Sequence, residues 1–328
     1  MEPGRPSAPV VALLGTRFVD FEVEREVMGD VEIVAAPGRD QTEIVEVAAG
    51  ADVILAGAAP LFDAATLGLI RCRGIVRLGV GVDSIDLEAA AARRIWVCYV
   101  PDYGTESVAI HTVTMILAAL RRLPMVDRRI RSGDWGFDEF RPLHLPETLT
   151  VGLVGYGRIG RRVGELLSAL GFGSILAADP ALPVGPAPLP GVEVVTLDHL
   201  LGAADVVSLH APPSGHGPLI GSEELASMKH GSILVNTARG ALIDTAALAT
   251  ALSAGAPAVA ALDVFPSEPP DPIGFDHLES MILSPHMAWY TEETELDLRR
   301  QGAAEARRIL DGEMPLNPVV VPDITEVP

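Results

Sequence analysis

Val151-Gly152-Leu153-Val154-Gly155-Tyr156-Gly157-Arg158-Ile159-Gly160 is the stretch on which the reading of this chain turns. A short apolar strand runs into three glycines spaced GxGxxG, and residues 161–170 that follow have helical composition. Each glycine has its own task in that context. Gly155 permits a tight turn, Gly157 lets the backbone approach a pyrophosphate, and Gly160 lets helix and strand pack closely. The free N–H groups of the helix start then face the phosphates. Gly155, Tyr156, Gly157, Arg158, Ile159 and Gly160 are therefore the first candidate cofactor residues.

Asp179 strengthens this reading. It lies 19 residues after Gly160, at the end of the apolar run 175–178. A carboxylate there accepts ribose hydroxyls and repels a 2′-phosphate. Pro180, Ala181 and Leu182 follow, with no cation to receive such a phosphate. NAD is expected rather than NADP.

The same strand–helix alternation extends on both sides. Apolar runs at 10–14, 31–35, 52–56, 75–78 and 95–100 read as strands, with helical stretches at 20–28, 42–50, 63–69 and 85–93 between them. Further strands are expected at 149–154, 175–178, 192–195, 206–209, 233–236, 258–262 and 281–283. The runs are continuously apolar rather than alternating, as in parallel strands covered on both faces. Residues 105–123 form a helical stretch that is apolar nearly all round, ended by Arg121, Arg122 and Pro124, and such a helix is expected to be buried between domains or subunits. A last helix is expected at 291–310, followed by an extended tail, 312–328. The expected fold class is α/β, with two Rossmann-like doubly wound parallel sheets. With 328 residues, two domains are the first expectation.

A formal charge of −20 disfavours nucleic acid and anionic membranes as partners. Cys72 and Cys98 show neither metal-ligand nor disulfide-framework spacing, so inert thiols and no metal are expected. The first nine residues lack the charged and apolar regions of a signal peptide. The expectation is a cytoplasmic protein.

Three polar segments follow later strands: Asn236-Thr237-Ala238-Arg239-Gly240, Asp263-Val264-Phe265-Pro266-Ser267-Glu268-Pro269 and Ser284-Pro285-His286. Ligands bind at the carboxyl ends of strands in open α/β sheets. Reducing a ketone requires a hydride on carbon and a proton on oxygen. His286 can give that proton, Glu268 can orient the ring and favour its charged form, and Arg239 can hold a substrate carboxylate.

In order and spacing, these segments resemble the D-isomer-specific 2-hydroxyacid dehydrogenase family over nearly the whole chain. The resemblance implies Arg239, Glu268 and His286 as the catalytic set. It implies a flavodoxin-like substrate domain, 1–104 and 287–328, split by an inserted NAD-binding Rossmann domain, 105–286. It implies a homodimer, joined in part through the long helix near 105–123. Arg77-Leu78-Gly79-Val80-Gly81 resembles the family's substrate-carboxylate loop, with the amides of Val80 and Gly81 on the acid and Arg77 adding charge. Ser208-Leu209-His210 and Val108-Ala109-Ile110-His111-Thr112 are similar to cofactor-contacting segments, with Ile110 where an acidic residue is common. His210, Thr112, Ala238 and Asp263 join the candidate cofactor set.

The run His286-Met287-Ala288-Trp289-Tyr290 is similar to the C-terminal-binding proteins, NAD(H)-binding corepressors on this scaffold. Trp289 there implies an apolar or bulky keto acid. From the end of the chain at Pro328, no appended effector module of the phosphoglycerate dehydrogenase kind is expected. An NADH sensor resembling the corepressors, and a phosphite or phosphonate dehydrogenase using the same three residues, stay open as alternatives.

Overall fold

The computed structural model describes residues 8–271 and 280–322. Most of the first nine residues and the end of the expected tail thus lie outside the described residues. In chain order the first elements are β1 (Val10–Leu14), α1 (Glu22–Met28), β2 (Glu32–Ala36), α2 (Gln41–Ala48), β3 (Val53–Ala56), α3 (Ala64–Leu69), β4 (Gly74–Arg77), α4 (Leu87–Ala92) and β5 (Trp96–Tyr99). Then come α5 (Thr105–Leu120), α6 (Leu123–Arg131), β6 (Thr150–Val154), α7 (Arg158–Ala169), β7 (Ser174–Ala178), β8 (Gly185–Pro186), β9 (Val192–Val194), α8 (Leu197–Ala203) and β10 (Val206–Leu209). The last are α9 (Ser222–Ser227), β11 (Ile233–Asn236), α10 (Thr245–Ala254), β12 (Val259–Leu262), β13 (Met281–Leu283), α11 (Glu292–Leu310) and β14 (Pro318–Val320).

The elements form two compact units, Met1–Gly104 with Thr291–Pro328, and Thr105–Tyr290. The second boundary falls at 290/291 rather than the expected 286/287. The reason is local: the N–H groups of Met287 and Ala288 donate to Asp263, and Ser107 Oγ donates to the Ala288 carbonyl. Those bonds tie 287–290 to the second unit.

The first unit has one sheet in the order β14-β5-β4-β3-β1-β2, parallel except for β14, which pairs antiparallel with β5. Part of the tail expected to be merely extended is therefore an edge strand. Side-chain caps start α2, α3 and α4: Asp40, Asp63 and Asp86 accept from the N–H three residues on, the usual N-cap exchange. α11 returns to this unit. Its Arg299 donates to buried Glu24 at 2.7 and 2.8 Å and to Asp20 at 3.0 Å, and lies 4.7 Å from the Phe18 ring centre. Cys98 is buried; Cys72 is half-buried, and desolvation pushes its thiol up to about 12, so both are poor nucleophiles.

The second unit has the sheet order β13-β12-β11-β10-β6-β7-β9-β8, parallel except for β8. Two apolar layers cover it. Ile116, Val163, Leu167 and Tyr156 belong to one, and Leu200, Leu225, Leu248 and Leu252 to the other. β6 sits mid-sheet with β7 on one side and β10 on the other, so the chain reverses direction there and leaves a crevice at the strand ends.

The expected helix 105–123 is two helices. α5 buries Val108, Ala109, Thr112, Val113, Met115, Ile116 and Ala119 but leaves Ile110 half exposed. Arg122 takes a left-handed conformation, φ 51°, and α6 starts after it at an angle of 59° to α5. Pro124 stands in the first turn of α6. A proline lacking N–H is tolerated there, so it begins a helix where the sequence pattern predicts an end. Among the described residues no single helix is long and apolar enough to cross a membrane.

Candidate active site

The glycine loop joins β6 to α7 at the sheet's reversal point. Gly155 has φ +90°, and a Cβ on it would lie 2.7 Å from the backbone of His210 and Ala211, so the turns after β6 and β10 touch. A Cβ on Gly160 would lie 2.3 Å from the Gly155 carbonyl. These two positions require glycine, for turn and packing respectively. A Cβ on Gly157, by contrast, would meet nothing within 4 Å. Gly157 is the N-cap of α7 and brings no side-chain cap, so the first-turn N–H groups face open space. That space and polarity fit a dinucleotide pyrophosphate.

Asp179 lies at the end of β7, half-buried. Its Oδ2 accepts the Tyr156 N–H at 2.8 Å and its Oδ1 the Ala181 N–H at 2.9 Å. Each carboxylate oxygen can accept a further hydrogen bond, so ribose hydroxyls can still be held. Tyr156 and Ile159 pack toward the core: Tyr156 is 1% exposed, and its hydroxyl has no hydrogen-bond partner among the described residues. Tyr156 contributes to the loop through its backbone N–H, which Asp179 accepts. Arg158 is exposed on the first turn of α7. His210 Nε2 lies 3.0 Å from Ser208 Oγ. The residue is half-buried, yet its ring is shielded enough that desolvation holds it down to about 4, neutral at pH 7.

The catalytic candidates stand after β11, β12 and β13, neighbouring parallel strands whose carboxyl ends point the same way. Asn236 builds the first loop, accepting the Ala238 N–H at 3.0 Å and donating to the Arg239 carbonyl at 2.8 Å. Arg239 Nη1 donates to the Ala238 carbonyl at 2.7 Å. A Cβ on Gly240 would lie 1.9 Å from the carbonyl carbon of Phe265, so the first and second loops meet backbone to backbone.

Glu268 Oε2 lies 2.6 Å from His286 Nδ1, and its Oε1 accepts the Phe265 N–H at 3.1 Å. Desolvation, the largest single influence, works to raise the Glu268 carboxyl. The hydrogen bonds of His286 and Phe265 and the charges of His286 and Arg239 outweigh it and hold the carboxyl below its ordinary 4.5. Arg239, Glu268 and His286 thus form one electrostatic group. His286 itself has φ +52°, a left-handed backbone rare outside glycine.

Two cofactor candidates, Asp263 and Thr112, are also parts of the loop framework. Asp263 is fully buried, and its carboxylate accepts Ser284 Oγ–H at 2.6 Å and the N–H groups of Met287 and Ala288 at 3.0 Å each. Thr112 is fully buried as well, with its Oγ1 2.7 Å from the Thr237 hydroxyl. Both help to build the loops of the site. Ala238 is half-buried in the Arg239 loop. Trp289, half-buried, meets Tyr290 edge to face at 5.6 Å. The reading of the sequence missed Ser107, His111 and Ser284 as site residues; Ser107 meets Ala288 and His111 meets Ser284 across more than 170 residues.

Arg77, Val80 and Gly81 belong to the first unit. Arg77 is buried, donates from Nη1 to the Leu78 carbonyl, and lies against Gly79. The N–H groups of Val80 and Gly81 make no hydrogen bond among the described residues.

Residues 113–288 match the family described as D-isomer specific 2-hydroxyacid dehydrogenase, NAD binding domain. The D-3-phosphoglycerate dehydrogenase of Mycobacterium tuberculosis is 36% identical over 304 residues, 92% of this chain and 56% of that protein. The chain thus spans just over half the length of such relatives. A crystal structure of a protein from Thermus thermophilus superposes with a TM-score of 0.85 at 33% identity, covering 94% of this chain and all of that one. D-lactate dehydrogenase from Aquifex aeolicus, solved with NAD and lactic acid, gives 0.85 at 28% identity over 95% of this chain and all of that one. These matches reach the family; the corepressor-like subgroup is not among what they establish.

Proposed function

The chain belongs to the D-isomer-specific 2-hydroxyacid dehydrogenase family, and from that premise we propose that it transfers a hydride between NAD(H) and a 2-hydroxy or 2-keto acid. The observation that carries this reading is the 2.6 Å pairing of His286 Nδ1 with Glu268 beside Arg239, on the same sheet edge as the glycine loop.

The turn 155–160 and the start of α7 would hold the pyrophosphate, and Asp179 the adenosine ribose. NAD(H) bound there supplies or takes up the hydride. The protein's own groups manage charge and protons. Arg239 stays charged and pairs with the substrate carboxylate, which also polarises the neighbouring carbonyl. Glu268 occupies Nδ1 of His286, so Nε2 is the nitrogen left to give a proton to the substrate oxygen during reduction. The imidazole then keeps its Nδ1–H toward Glu268. Glu268 is held low, so it stays a carboxylate and does not take that proton. Hydride on C2 and proton on oxygen give the 2-hydroxy acid; oxidation runs the same steps backward.

Trp289 supports a substrate with a side chain larger than that of glyoxylate. We also propose a homodimer. Ile110, Leu123, Ile130, Trp135, Phe137 and Leu145 expose apolar surface within one span of chain, and Trp135 is 88% exposed. Surface of that kind marks association sites. Sedimentation of wild type against Trp135→Glu tests it, a monomer in both sinking the proposal.

The activity test is NADH and NADPH oxidation with a panel of 2-keto acids, together with NAD reduction by D-3-phosphoglycerate. Turnover that prefers NADH and is lost in His286→Ala supports the reading. Full turnover in His286→Ala would remove His286 from the role of acid.

A further inference from the structure

His286 is held in its unusual backbone by a short polar chain that starts on a helix. His286 N–H donates to the Asp263 carbonyl at 2.7 Å, and the next two N–H groups, of Met287 and Ala288, converge on the Asp263 carboxylate. Ser284 Oγ also gives its proton to that carboxylate, at 2.6 Å. The serine oxygen is therefore left as an acceptor, and His111 Nε2 lies 3.1 Å from it and 3.7 Å from Asp263 Oδ1. The network assigns the proton of His111 to Nε2. One turn earlier on α5, Ser107 Oγ donates to the Ala288 carbonyl at 2.9 Å. Residues i and i+4 of a helix share a face. Ser107 and His111 thus grip the loop on either side of His286, at 288 and at 284.

We propose that His111 is a positioning residue for His286, acting through Ser284 and Asp263. A left-handed residue persists only where its surroundings over-determine it. Asp263 supplies most of that constraint, and its carboxylate is 1% exposed. His111 is the cationic-capable side chain, half-buried, that faces this carboxylate among the described residues. It anchors the Ser284 hydroxyl, whose proton fills one acceptor site of Asp263. Without that anchor Ser284 can turn away, and the loop loses one of the bonds that fix the imidazole against Glu268. Partly satisfied polar networks of this type lose order as a unit.

This inference rests on the hydride-transfer reading for its kinetic arm and has a second arm that does not. The spectroscopic arm follows the His286 Nδ1–H proton, hydrogen-bonded to Glu268, by NMR of histidine-labelled protein, assigned with His286→Gln. In His111→Leu and in Ser284→Ala this resonance shifts or broadens; in His111→Gln, whose amide can still donate to Ser284, it returns toward wild type. In the kinetic arm, His111→Leu lowers kcat about tenfold, the scale of one lost hydrogen bond in a charged network. The double variant His111→Leu/Ser284→Ala loses no more than the worse single variant, because both break one chain. An unmoved His286 resonance in folded His111→Leu or Ser284→Ala overturns the proposal, as do losses that multiply in the double variant. Absence of turnover in wild type would count against the hydride-transfer reading alone.

Discussion

Glu268→Gln is the sharpest probe of the proton-transfer pair. Glutamine keeps the size of the side chain and an oxygen for the Phe265 N–H, 3.1 Å away, but sets a neutral amide against His286 Nδ1, where the carboxylate sits at 2.6 Å. A hydrogen bond between charged groups is worth about 1.5–3 kcal/mol. Both side chains are about one-third exposed, at 33% and 36%, so solvent screening puts this pair at the low end, ~1.5–2 kcal/mol. That energy favours the protonated imidazole, the form that reduction consumes. Reduction of an active keto acid should therefore slow by about ten- to thirtyfold above neutral pH. The deficit should shrink in acid, where protons are plentiful. Steady-state kcat against pH, with NADH saturating, measures this directly. A variant with the wild-type profile and rate would refute the assignment of Glu268 as the group that charges His286. Stability carries a second sign. The folded-state carboxyl lies below its ordinary 4.5, so its contribution is fully present above about 4.5 and is lost as pH falls through the lowered value. Wild type loses that contribution in acid melts and Glu268→Gln does not.

Three further outcomes are expected. Gly240→Ala would place a Cβ 1.9 Å from the Phe265 backbone, so the loops bearing Arg239 and Glu268 must part; a lower Tm with kcat reduced about tenfold or more follows from overpacking of ~1–3 kcal/mol at the site, and a wild-type Tm and kcat would contradict that close approach. Arg299→Leu leaves Glu24, 0% exposed, without the guanidinium that holds it; denaturant melts should show a loss of ~3–5 kcal/mol, largely recovered in Arg299→Leu/Glu24→Leu, since removing both charges relieves the stranded one. Tyr156→Phe deletes a buried hydroxyl that has no partner among the described residues; calorimetry should find stability unchanged or raised by up to ~1 kcal/mol, and a marked loss would mean that the hydroxyl is bonded in solution.

What the sequence made legible is what short-range physics decides. The glycine spacing at 155–160 sets a turn from neighbours alone, and Asp40, Asp63, Asp86 and Asp244 each cap a helix within three residues of themselves. The runs of β10, β11 and β13 have the bounds expected of them, because each is a short, mainly apolar run legible from its own residues. Other features depend on partners far along the chain. Arg299 meets Glu24 across 275 residues, and His111 meets Ser284 across 173. No local pattern distinguishes these side chains from solvated ones. α6 was hidden for a different reason: a proline is compatible with both the end of one helix and the start of the next, and only the left-handed turn at Arg122 chooses.

Asp179, Asp263 and Thr112 share a lesson about reading polar residues near a cofactor motif. Asp179 and Asp263 stand out in the sequence because each is polar and follows a strand end, and Thr112, on α5, because its segment resembles one that contacts a cofactor. Strand ends are also where backbone N–H groups leave the ladder and need acceptors. A carboxylate there faces two demands, and burial decides between them. Asp263, at 0% exposure with three donors on it, is committed to the loop around His286. Asp179 is half-buried and spends one bond per oxygen on Tyr156 and Ala181, so it can shape the glycine turn and still take a ribose. Asp179 then has two tasks in one side chain. Its charge opposes a 2′-phosphate, and its bond to Tyr156 N–H sets the turn that receives the pyrophosphate. Swapping cofactor preference therefore requires more than a cation after Pro180. Removing Asp179 to admit the phosphate also frees the Tyr156 amide, so a neutral acceptor, as in Asp179→Asn, must stay in its place for the loop to keep its shape.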